Sequence, residues 1–310
     1  MYNSGSFPGR ITIELTNRCN LACSFCPRHL VDVSLGDMEP DLFRKVVDEA
    51  ANYLPVCLAV FFRGESLLHP QLAEMINYAK SKGLGPVQLA SNGVALTEEL
   101  SERLLDSGLD FISFSLDTID AGIYSRTRKH GDLHKAIKNV INFVNRCGER
   151  RKKGLQSPEI QVSTVDVPDY RAGQQKFIDF WRSYADRVRV YIEHSSDGNL
   201  GSIQKNLPFE RDIRKPCKKV FTDIVIYWDG KIALCNHDWD NKIDLGNVRE
   251  QSIFDIWNSP AYQGIRKMHN ENDFSAGITC LNCDHWQMYY LPEGYLGRVY
   301  SKVGEDSSNG

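Results

Sequence analysis

The sequence predicts an α/β fold with a parallel β-sheet, followed by a smaller attached region. Three observations lead to this prediction. Apolar, strand-like runs alternate with helical patterns over roughly the first 200 of the 310 residues. Polar and glycine-containing stretches follow the predicted strands, where α/β proteins carry their chemistry. Later in the chain the alternation gives way to a hairpin-like pattern. Right-handed crossovers allow such a sheet to stay open or to close into a barrel.

Six predicted strands alternate with five predicted helices. The strands span residues 11–15, 56–62, 87–90, 111–116, 160–165 and 188–192, and the helices span residues 40–53, 71–82, 97–108, 133–144 and 177–184. Pro40 suits the first turn of a helix, and Thr97 suits an N-cap. The continuous apolar run 56–62 is typical of a strand that is buried on both faces.

Composition and charge narrow the class of protein. The chain is 42% hydrophobic and 25% charged, which is ordinary for a globular protein. A formal net charge of −3 gives no electrostatic reason to expect a nucleic-acid partner. No apolar run approaches the roughly 18 residues of a membrane span, and no secretory signal is visible. We therefore expect a cytoplasmic protein with no membrane partner. Its nine cysteines are then metal ligands, reactive groups or buried side chains rather than disulfides.

Three cysteines lie close together on the loop after the first strand. Three residues separate Cys19 from Cys23, and two separate Cys23 from Cys26. Three soft ligands at the mouth of a βα sheet suit an iron–sulfur cluster that keeps one iron open for a cofactor. A zinc site with His29 as fourth ligand is the alternative, but structural zinc usually takes ligand pairs from two separate segments.

This cysteine spacing resembles the signature of the radical S-adenosylmethionine (SAM) superfamily, and Phe25, just before the third cysteine, matches as well. The resemblance implies a partial (β/α)6 barrel in which SAM binds the open iron of a [4Fe–4S] cluster. It also implies that a reductase such as flavodoxin or ferredoxin supplies an electron. Cleavage of SAM then gives a 5′-deoxyadenosyl radical that takes a hydrogen atom from the substrate.

Further motifs resemble the family's SAM-binding residues. In Arg63-Gly64-Glu65-Ser66, the pair Gly64 and Glu65 matches the Gly-Gly-Glu-Pro stretch that holds the SAM amino group. This chain departs from that stretch at its first and last positions. The other residues that the resemblance implies as SAM contacts are Ser91, Asn92, Ser115 and Arg128. Taken singly, the Ser91 stretch can be explained as an ordinary turn and Arg128 as a surface charge. Their order along the chain behind the cysteine motif favours SAM binding by the set as a whole.

A second cysteine set lies in the later part of the chain. It comprises Cys217, Cys235, Cys280 and Cys283. Residues 224–228 and 231–235 predict a β-hairpin, and helical patterns follow over residues 253–257 and 261–269. A zinc ribbon is one interpretation of such a set. The arrangement also resembles the shortened SPASM domain called twitch, which implies an auxiliary [4Fe–4S] cluster with four protein ligands and a role in electron transfer.

The domain organisation follows from these patterns. We expect a radical SAM partial barrel over residues 1–200, a SPASM/twitch domain (a β-hairpin plus a helix) over residues 201–300 and a disordered tail over residues 301–310. The two remaining cysteines, Cys57 and Cys147, are expected to be structural. This favours dehydrogenation, because epimerases of the family need a hydrogen-atom donor, often a cysteine.

The chain resembles twitch enzymes of the 2-deoxy-scyllo-inosamine dehydrogenase type. That resemblance implies oxidation of a secondary alcohol to a ketone on a small substrate such as a sugar, an aminocyclitol or a nucleotide sugar. Glu14, Glu193 and His194 are candidates for binding hydroxyl groups and for the base. The alternatives are an epimerase, a peptide-modifying enzyme, and a non-catalytic iron–sulfur or zinc protein. Only about ten residues precede the first strand, which leaves little room for a leader-binding domain.

Overall fold

The protein is described by a computed structural model. The structure describes residues 5–192, 214–241, 243–274, 278–281, 283, 285–290 and 297–303. Its strands are β1 (Arg10–Ile13), β2 (Ala22–Cys23), β3 (Cys57–Ala59), β4 (Val87–Ser91), β5 (Phe111–Ser115), β6 (Arg128–Lys129), β7 (Glu159–Asp166), β8 (Arg187–Ile192), β9 (Asp223–Ile226), β10 (Ile232–Ala233) and β11 (Arg298–Ser301).

Most of these strands form a single nine-stranded sheet of order β10-β9-β1-β3-β4-β5-β7-β8-β11. Pairing is parallel from β9 through β8, and the two edge strands are antiparallel to their neighbours. The six predicted strands are β1, β3, β4, β5, β7 and β8, in chain order. The predicted parallel α/β sheet is therefore confirmed. Among the described residues β1 and β8 do not pair with each other, so the barrel is open.

The helices are α1 (Pro40–Ala50), α2 (Leu72–Ser81), α3 (Glu98–Asp106), α4 (Ala121–Thr127), α5 (Leu133–Lys152), α6 (Pro168–Arg182), α7 (Lys219–Thr222), α8 (Ile253–Trp257) and α9 (Pro260–Glu271). Pro40 stands in the first turn of α1, and the Thr97 hydroxyl caps α3 by accepting from Leu100 N at 3.1 Å. Each crossover helix buries an apolar stripe; in α1 this includes Phe43 and Val47. No helix in the described ranges is both long and apolar enough to cross a bilayer.

Several elements, among them α7 and β11, were not expected from the sequence. α4 was not expected, and neither was the two-stranded sheet of β2 and β6, which pairs Cys23 with Arg128. Short strands of this kind carry too little periodicity to be seen in a sequence. This small sheet matters because it joins the cysteine loop to the predicted SAM-binding arginine.

The later hairpin joins the main sheet. β9 pairs in parallel with β1 over its whole length, from Arg10↔Asp223 to Ile13↔Ile226. The turn contains Gly230 at φ +91°, a conformation that favours glycine. Ser301, where the predicted tail begins, is the last residue of β11. The predicted boundary near residue 200 falls outside the described residues.

Candidate active site

The first cysteine set lies on the loop that follows β1. Cys23 is in β2, where it is paired with Arg128 of β6. Ser24 N donates to Thr127 O at 2.9 Å, which extends the same contact. Cys26 begins the short 3-10 helix Pro27–Leu30 as its N-cap residue. The loop is therefore clamped by backbone hydrogen bonds to the segment 127–129 and holds its three thiols at the carboxyl end of β1.

The three thiols have the chemistry of iron–sulfur ligands. Burial is the largest cause that raises the pKa of Cys19, Cys23 and Cys26, and the charges of neighbouring thiols add to it. Within the described residues, no three His, Cys, Asp or Glu side chains come close enough to hold one metal ion. His29 is exposed on the 3-10 helix.

The Gly64-Glu65 turn lies directly against the same loop. A Cβ atom on Gly64 would lie 2.2 Å from Thr16 O, so only glycine fits without movement. Glu65 N donates to Arg18 O at 2.8 Å. This close approach fixes the predicted amino-binding turn beside the cysteine loop.

The Glu65 carboxylate is buried and accepts two backbone hydrogen bonds. Leu67 N donates to one oxygen at 3.1 Å, and Asn92 N donates to the other at 2.8 Å. Burial raises the pKa of Glu65 despite these bonds. The carboxylate therefore ties two predicted SAM-binding motifs together.

The turn after β4 connects to the cysteine loop as well. Gly93 N donates to the Ser91 hydroxyl at 2.9 Å, and Val94 N donates to Asn92 Oδ1 at 3.0 Å. Asn92 Nδ2 donates to Asn20 Oδ1 at 2.9 Å. The predicted ribose-binding turn is thus ordered by its own side chains and is anchored next to Cys19.

Arg128 reaches the cysteine loop from the other side. Its buried guanidinium donates through Nε to Asp117 at 2.7 Å and lies 4.0 Å from Cys23 Sγ through Nη1. Burial is the largest influence and disfavours its charge, but Asp117 and Cys23 together with Tyr124 outweigh burial and raise the pKa of Arg128. The guanidinium also lies 5.5 Å from the centre of the Phe25 ring. Ser115 ends β5, two residues before Asp117.

The structure gives Glu14 a different neighbourhood from the expected one. Both of its oxygens accept from Arg63, from Nε at 2.6 Å and from Nη2 at 2.7 Å, and both side chains are buried. Trp228 N donates to the same carboxylate at 3.3 Å. Both Glu14 oxygens are therefore engaged within the fold, and a role of Glu14 towards a substrate stays a prediction. Glu193 and His194 lie outside the described residues.

The second cysteine set is gathered from three segments. Cys217 precedes α7, Cys235 follows β10, and Cys280 and Cys283 lie near the 3-10 helix Thr279–Leu281. Arg214 donates to the carbonyl of Cys280 and, at 3.0 Å, to Leu281 O. Cys217 N donates to His269 Nδ1 at 3.2 Å. These contacts hold the distant segments side by side.

Burial is the largest influence on the pKa values of the thiols in the second cysteine set. It raises the pKa of Cys217 to about 12 and also raises the pKa values of Cys235 and Cys280. The thiols of the set raise one another's pKa values through their charges, so they lie near each other. Neutral thiols are favoured in the metal-free chain, and bound iron replaces their protons.

A cavity of about 550 Å³ lies between the two cysteine sets. It is lined by Phe25, Pro27, Phe61, Phe62, Tyr191, Lys219, Asn236, His237, Trp239, His285 and Tyr289. The sequence-based reasoning missed the polar lining residues. A signal was present, because His237 follows Cys235 by two residues and His285 follows Cys283 by two residues. The two imidazole rings lie 4.3 Å apart, centre to centre.

Comparison with known proteins decides the family. The model of the radical SAM superfamily matches residues 13–150, and that of the SPASM iron–sulfur cluster-binding domain matches residues 217–284. A probable GTP 3′,8-cyclase of Methanococcus maripaludis is 30% identical over 269 residues, which cover 76% of this chain and 87% of that protein. The chain belongs to the radical SAM superfamily.

Other similar proteins carry the names of different activities. The S-adenosyl-L-methionine-dependent 2-deoxy-scyllo-inosamine dehydrogenase of Niallia circulans is 24% identical over 282 residues, which cover 89% of this chain and 92% of that protein. Among solved structures, BtrN in complex with AdoMet and 2-DOIA has a TM-score of 0.59 and 20% identity, covering 89% of this chain and 92% of that chain. This structural likeness supports the fold.

Radical SAM membership establishes the cofactors as SAM and a [4Fe–4S] cluster, with auxiliary iron–sulfur binding in the SPASM domain. The donors fit these groups, because each cysteine set offers thiols that are close in space. The ligand sets remain our prediction: Cys19, Cys23 and Cys26 for the first cluster, and Cys217, Cys235, Cys280 and Cys283 for the second.

The two cysteines outside both cysteine sets, Cys57 and Cys147, pack against other parts of the fold. Cys57 begins β3, at the opposite end of that strand from Gly64, and its thiol donates to Pro86 O at 3.4 Å. Cys147 is fully buried in α5, and burial raises the pKa of its thiol to about 12. Neither lines the cavity between the cysteine sets.

Proposed function

We propose that this radical SAM enzyme is a cytoplasmic oxidoreductase that converts a secondary alcohol of a small hydroxylated substrate to a ketone. The substrate class is a sugar, an aminocyclitol or a nucleotide sugar. A flavodoxin- or ferredoxin-type reductase supplies the electron. When bound, SAM and its cluster supply the hydrogen-abstracting radical, and the auxiliary cluster supplies an electron acceptor.

One observation supports this proposal above all: the cavity joins the two cysteine sets. Phe25 and Pro27 of the first cysteine loop form one side, and Asn236 and His237 after Cys235 form another. A volume near 550 Å³ falls in the range of small-molecule sites, which is about 300–1,000 Å³. A substrate held there would have the proposed SAM-binding residues on one side and the proposed auxiliary ligands on the other, as an oxidation needs.

The lining suits a hydroxylated ring. Phe61, Phe62 and Trp239 offer flat apolar faces, which can cover the C–H face of a sugar or cyclitol. Lys219 and Asn236 supply polar groups that can orient hydroxyls. Lys219 donates to Asn236 Oδ1 at 3.0 Å, so the two are already ordered against each other.

The chain's own residues divide into three tasks. Glu65, Asn92 and Arg128 are our candidates for holding SAM, together with Phe25, Gly64, Ser91 and Ser115. The cavity residues bind and orient the substrate. Glu193 and His194 stay our candidates for the base, because they follow directly on β8, whose Tyr191 lines the cavity.

A nucleotide is a second candidate substrate. It is favoured by the likeness to the probable GTP 3′,8-cyclase, which at 30% identity exceeds the 24% of the dehydrogenase relative. The aromatic lining that suits a sugar ring also suits a stacked base. Epimerisation and peptide modification remain outcomes that the same experiment detects.

The test is product analysis under anaerobic conditions in D₂O. The reconstituted, reduced protein receives SAM with sugars, aminocyclitols, nucleotide sugars, GTP or short peptides. We expect 5′-deoxyadenosine together with a product that has lost two hydrogens. A product that gains one deuterium indicates epimerisation, and a rearranged nucleotide of unchanged mass indicates cyclisation; either outcome rejects the dehydrogenase proposal. Absence of 5′-deoxyadenosine with every compound rejects SAM cleavage itself.

A further inference from the structure

Arg63 occupies the place where the family's SAM-binding motif has a glycine, and the structure shows where its side chain goes. Besides its two bonds to Glu14, its Nη1 donates to Trp239 O at 2.7 Å. Its guanidinium carbon lies 4.0 Å from the centre of the Tyr227 ring. One side chain thus contacts β1's carboxyl end, the hairpin of β9 and β10, and the segment after Cys235.

The segment after Cys235 is held at two consecutive carbonyl groups. Arg63 binds that of Trp239, and the Tyr227 hydroxyl donates to Asp238 O at 2.7 Å. Tyr227 in turn stacks on Phe62, with ring centres 5.8 Å apart. This segment therefore has its path fixed from the barrel side.

The residues fixed in this way form one wall of the cavity. Phe62 and Trp239 both line it, with ring centres 5.6 Å apart. Phe62 precedes Arg63 in the chain, and Gly64 and Glu65 follow it. The proposed SAM-binding turn keeps its own backbone bond from Glu65 N to Arg18 O, so loss of the Arg63 side-chain bonds frees the cavity wall and leaves that turn in place.

Stability alone does not explain a buried ion pair at this place. Removing two charges from water is costly, and apolar side chains of similar volume often replace such pairs without loss of stability. What an apolar pair cannot do is donate to the Trp239 carbonyl or fix its direction. The specific contribution of Glu14 and Arg63 is therefore geometric.

We propose that Arg63, held by Glu14, is a positioning residue that sets the aromatic wall of Phe62 and Trp239 and aligns the bound substrate with SAM. This inference rests on the proposed function for the existence of a substrate in the cavity. It assigns neither residue a part in the chemistry.

The test uses the double variant Glu14→Leu/Arg63→Met. Both charges are removed together, so no unpaired charge stays buried. The matched control is Arg103→Met, because Arg103 also pairs with a glutamate, Glu74 at 2.8 Å, and donates to a backbone carbonyl, Pro70 O at 3.0 Å, but on the surface. Two readouts are compared with wild type: amide hydrogen exchange over residues 236–241, and the ratio of 5′-deoxyadenosine to product.

In the double variant, exchange over residues 236–241 should become faster by about tenfold or more, while exchange in α1 and α2 stays unchanged. The ratio of 5′-deoxyadenosine to product should rise several-fold, because SAM cleavage continues while substrate alignment fails. Arg103→Met should change neither readout. Unchanged exchange over residues 236–241 overturns the inference. Equal acceleration along the whole chain also overturns it, since it shows a general loss of stability.

The exchange measurement needs no substrate. If no compound yields a product, the proposed function fails on product analysis while exchange over residues 236–241 still decides whether Arg63 positions this segment. A normal ratio in a variant with faster exchange overturns the alignment role and leaves the proposed function intact.

Discussion

The two cysteine sets of this enzyme are assembled in opposite ways. The first lies on one loop, within residues 19–26, and backbone bonds to the strand of Arg128 clamp it. The second is collected from residues 217, 235, 280 and 283, across a hairpin and three helices. Buried contacts such as Arg214 on the Cys280 carbonyl hold it together.

The difference has a physical consequence. A local loop can present three thiols once β1 has paired with β3 and β9, so beyond that one strand it needs no ligand from the later chain. Residues that are distant in sequence come together only when loop-closure entropy is offset by packing. The first set should therefore form and bind independently, while the second should report on the folding of the later region.

The largest expected effect separates the two sets directly. Cys23→Ala should abolish 5′-deoxyadenosine formation while the second cluster stays bound, because the first set alone faces the proposed SAM site. Cys235→Ala should retain SAM cleavage but lose product. Iron content and electron paramagnetic resonance of each variant check which cluster remains. Loss of SAM cleavage in Cys235→Ala would show that the sets are not independent.

The next effect tests how closely the first loop is packed. In Gly64→Ala the new methyl group would meet Thr16 O at 2.2 Å, so the turn must move away from the cysteine loop. Overpacking of this kind costs about 1–3 kcal/mol, which corresponds to roughly a tenfold to hundredfold loss of SAM affinity. Equilibrium dialysis with SAM measures it.

The control is another glycine of the same chain. Gly148 lies within α5, and nothing stands within 4 Å of an added Cβ atom. Gly148→Ala should leave SAM affinity unchanged and raise helix stability by about 0.5–1 kcal/mol. Equal SAM affinity in both variants would argue against a close-packed SAM turn.

A smaller effect is expected from the arginine beside the second set. Arg214→Met removes donors to the carbonyls of Cys280 and Leu281, and hydrogen bonds from charged groups are worth about 1.5–3 kcal/mol. Release of the second cluster to a chelator should accelerate about tenfold, while the first cluster is retained. The counterpart is Arg28→Met, since Arg28 donates to Leu21 O at 3.1 Å in the first loop. It should weaken only the first cluster.

The smallest effect is a pH dependence in the iron-free chain. Burial raises the pKa of Cys217 from 9.0 to about 12, so its neutral thiol persists above the pH at which an ordinary thiol has ionised. Its alkylation rate should still rise about tenfold between pH 9 and pH 10, since only the thiolate reacts. Peptide mapping by mass spectrometry gives the rate, and circular dichroism over the same range shows that the fold persists. A plateau near pH 9 would contradict the burial of this thiol.

Much of the fold could be predicted from local patterns. The strands β4, β5 and β8 begin where an apolar run follows a turn residue. Their order in the sheet follows their order in the chain. The predicted strand 56–62 is longer than β3, because Phe61 and Phe62 leave the sheet to line the cavity. α6 begins at Pro168, earlier than the aromatic spacing from Phe177 indicated, because its first turns are mainly polar.

The sequence by itself determined the family, the cofactors and the six-strand alternation, because these depend on spacings within a few residues. Only the tertiary structure decided the pairing of β9 with β1, the cavity between the cysteine sets and the bond between Glu14 and Arg63, which are 49 residues apart. Contacts of this kind produce no periodic pattern in a sequence, because they form only when packing brings distant segments together. Glu14, a candidate for the base from the sequence, lies bonded to Arg63 through that packing.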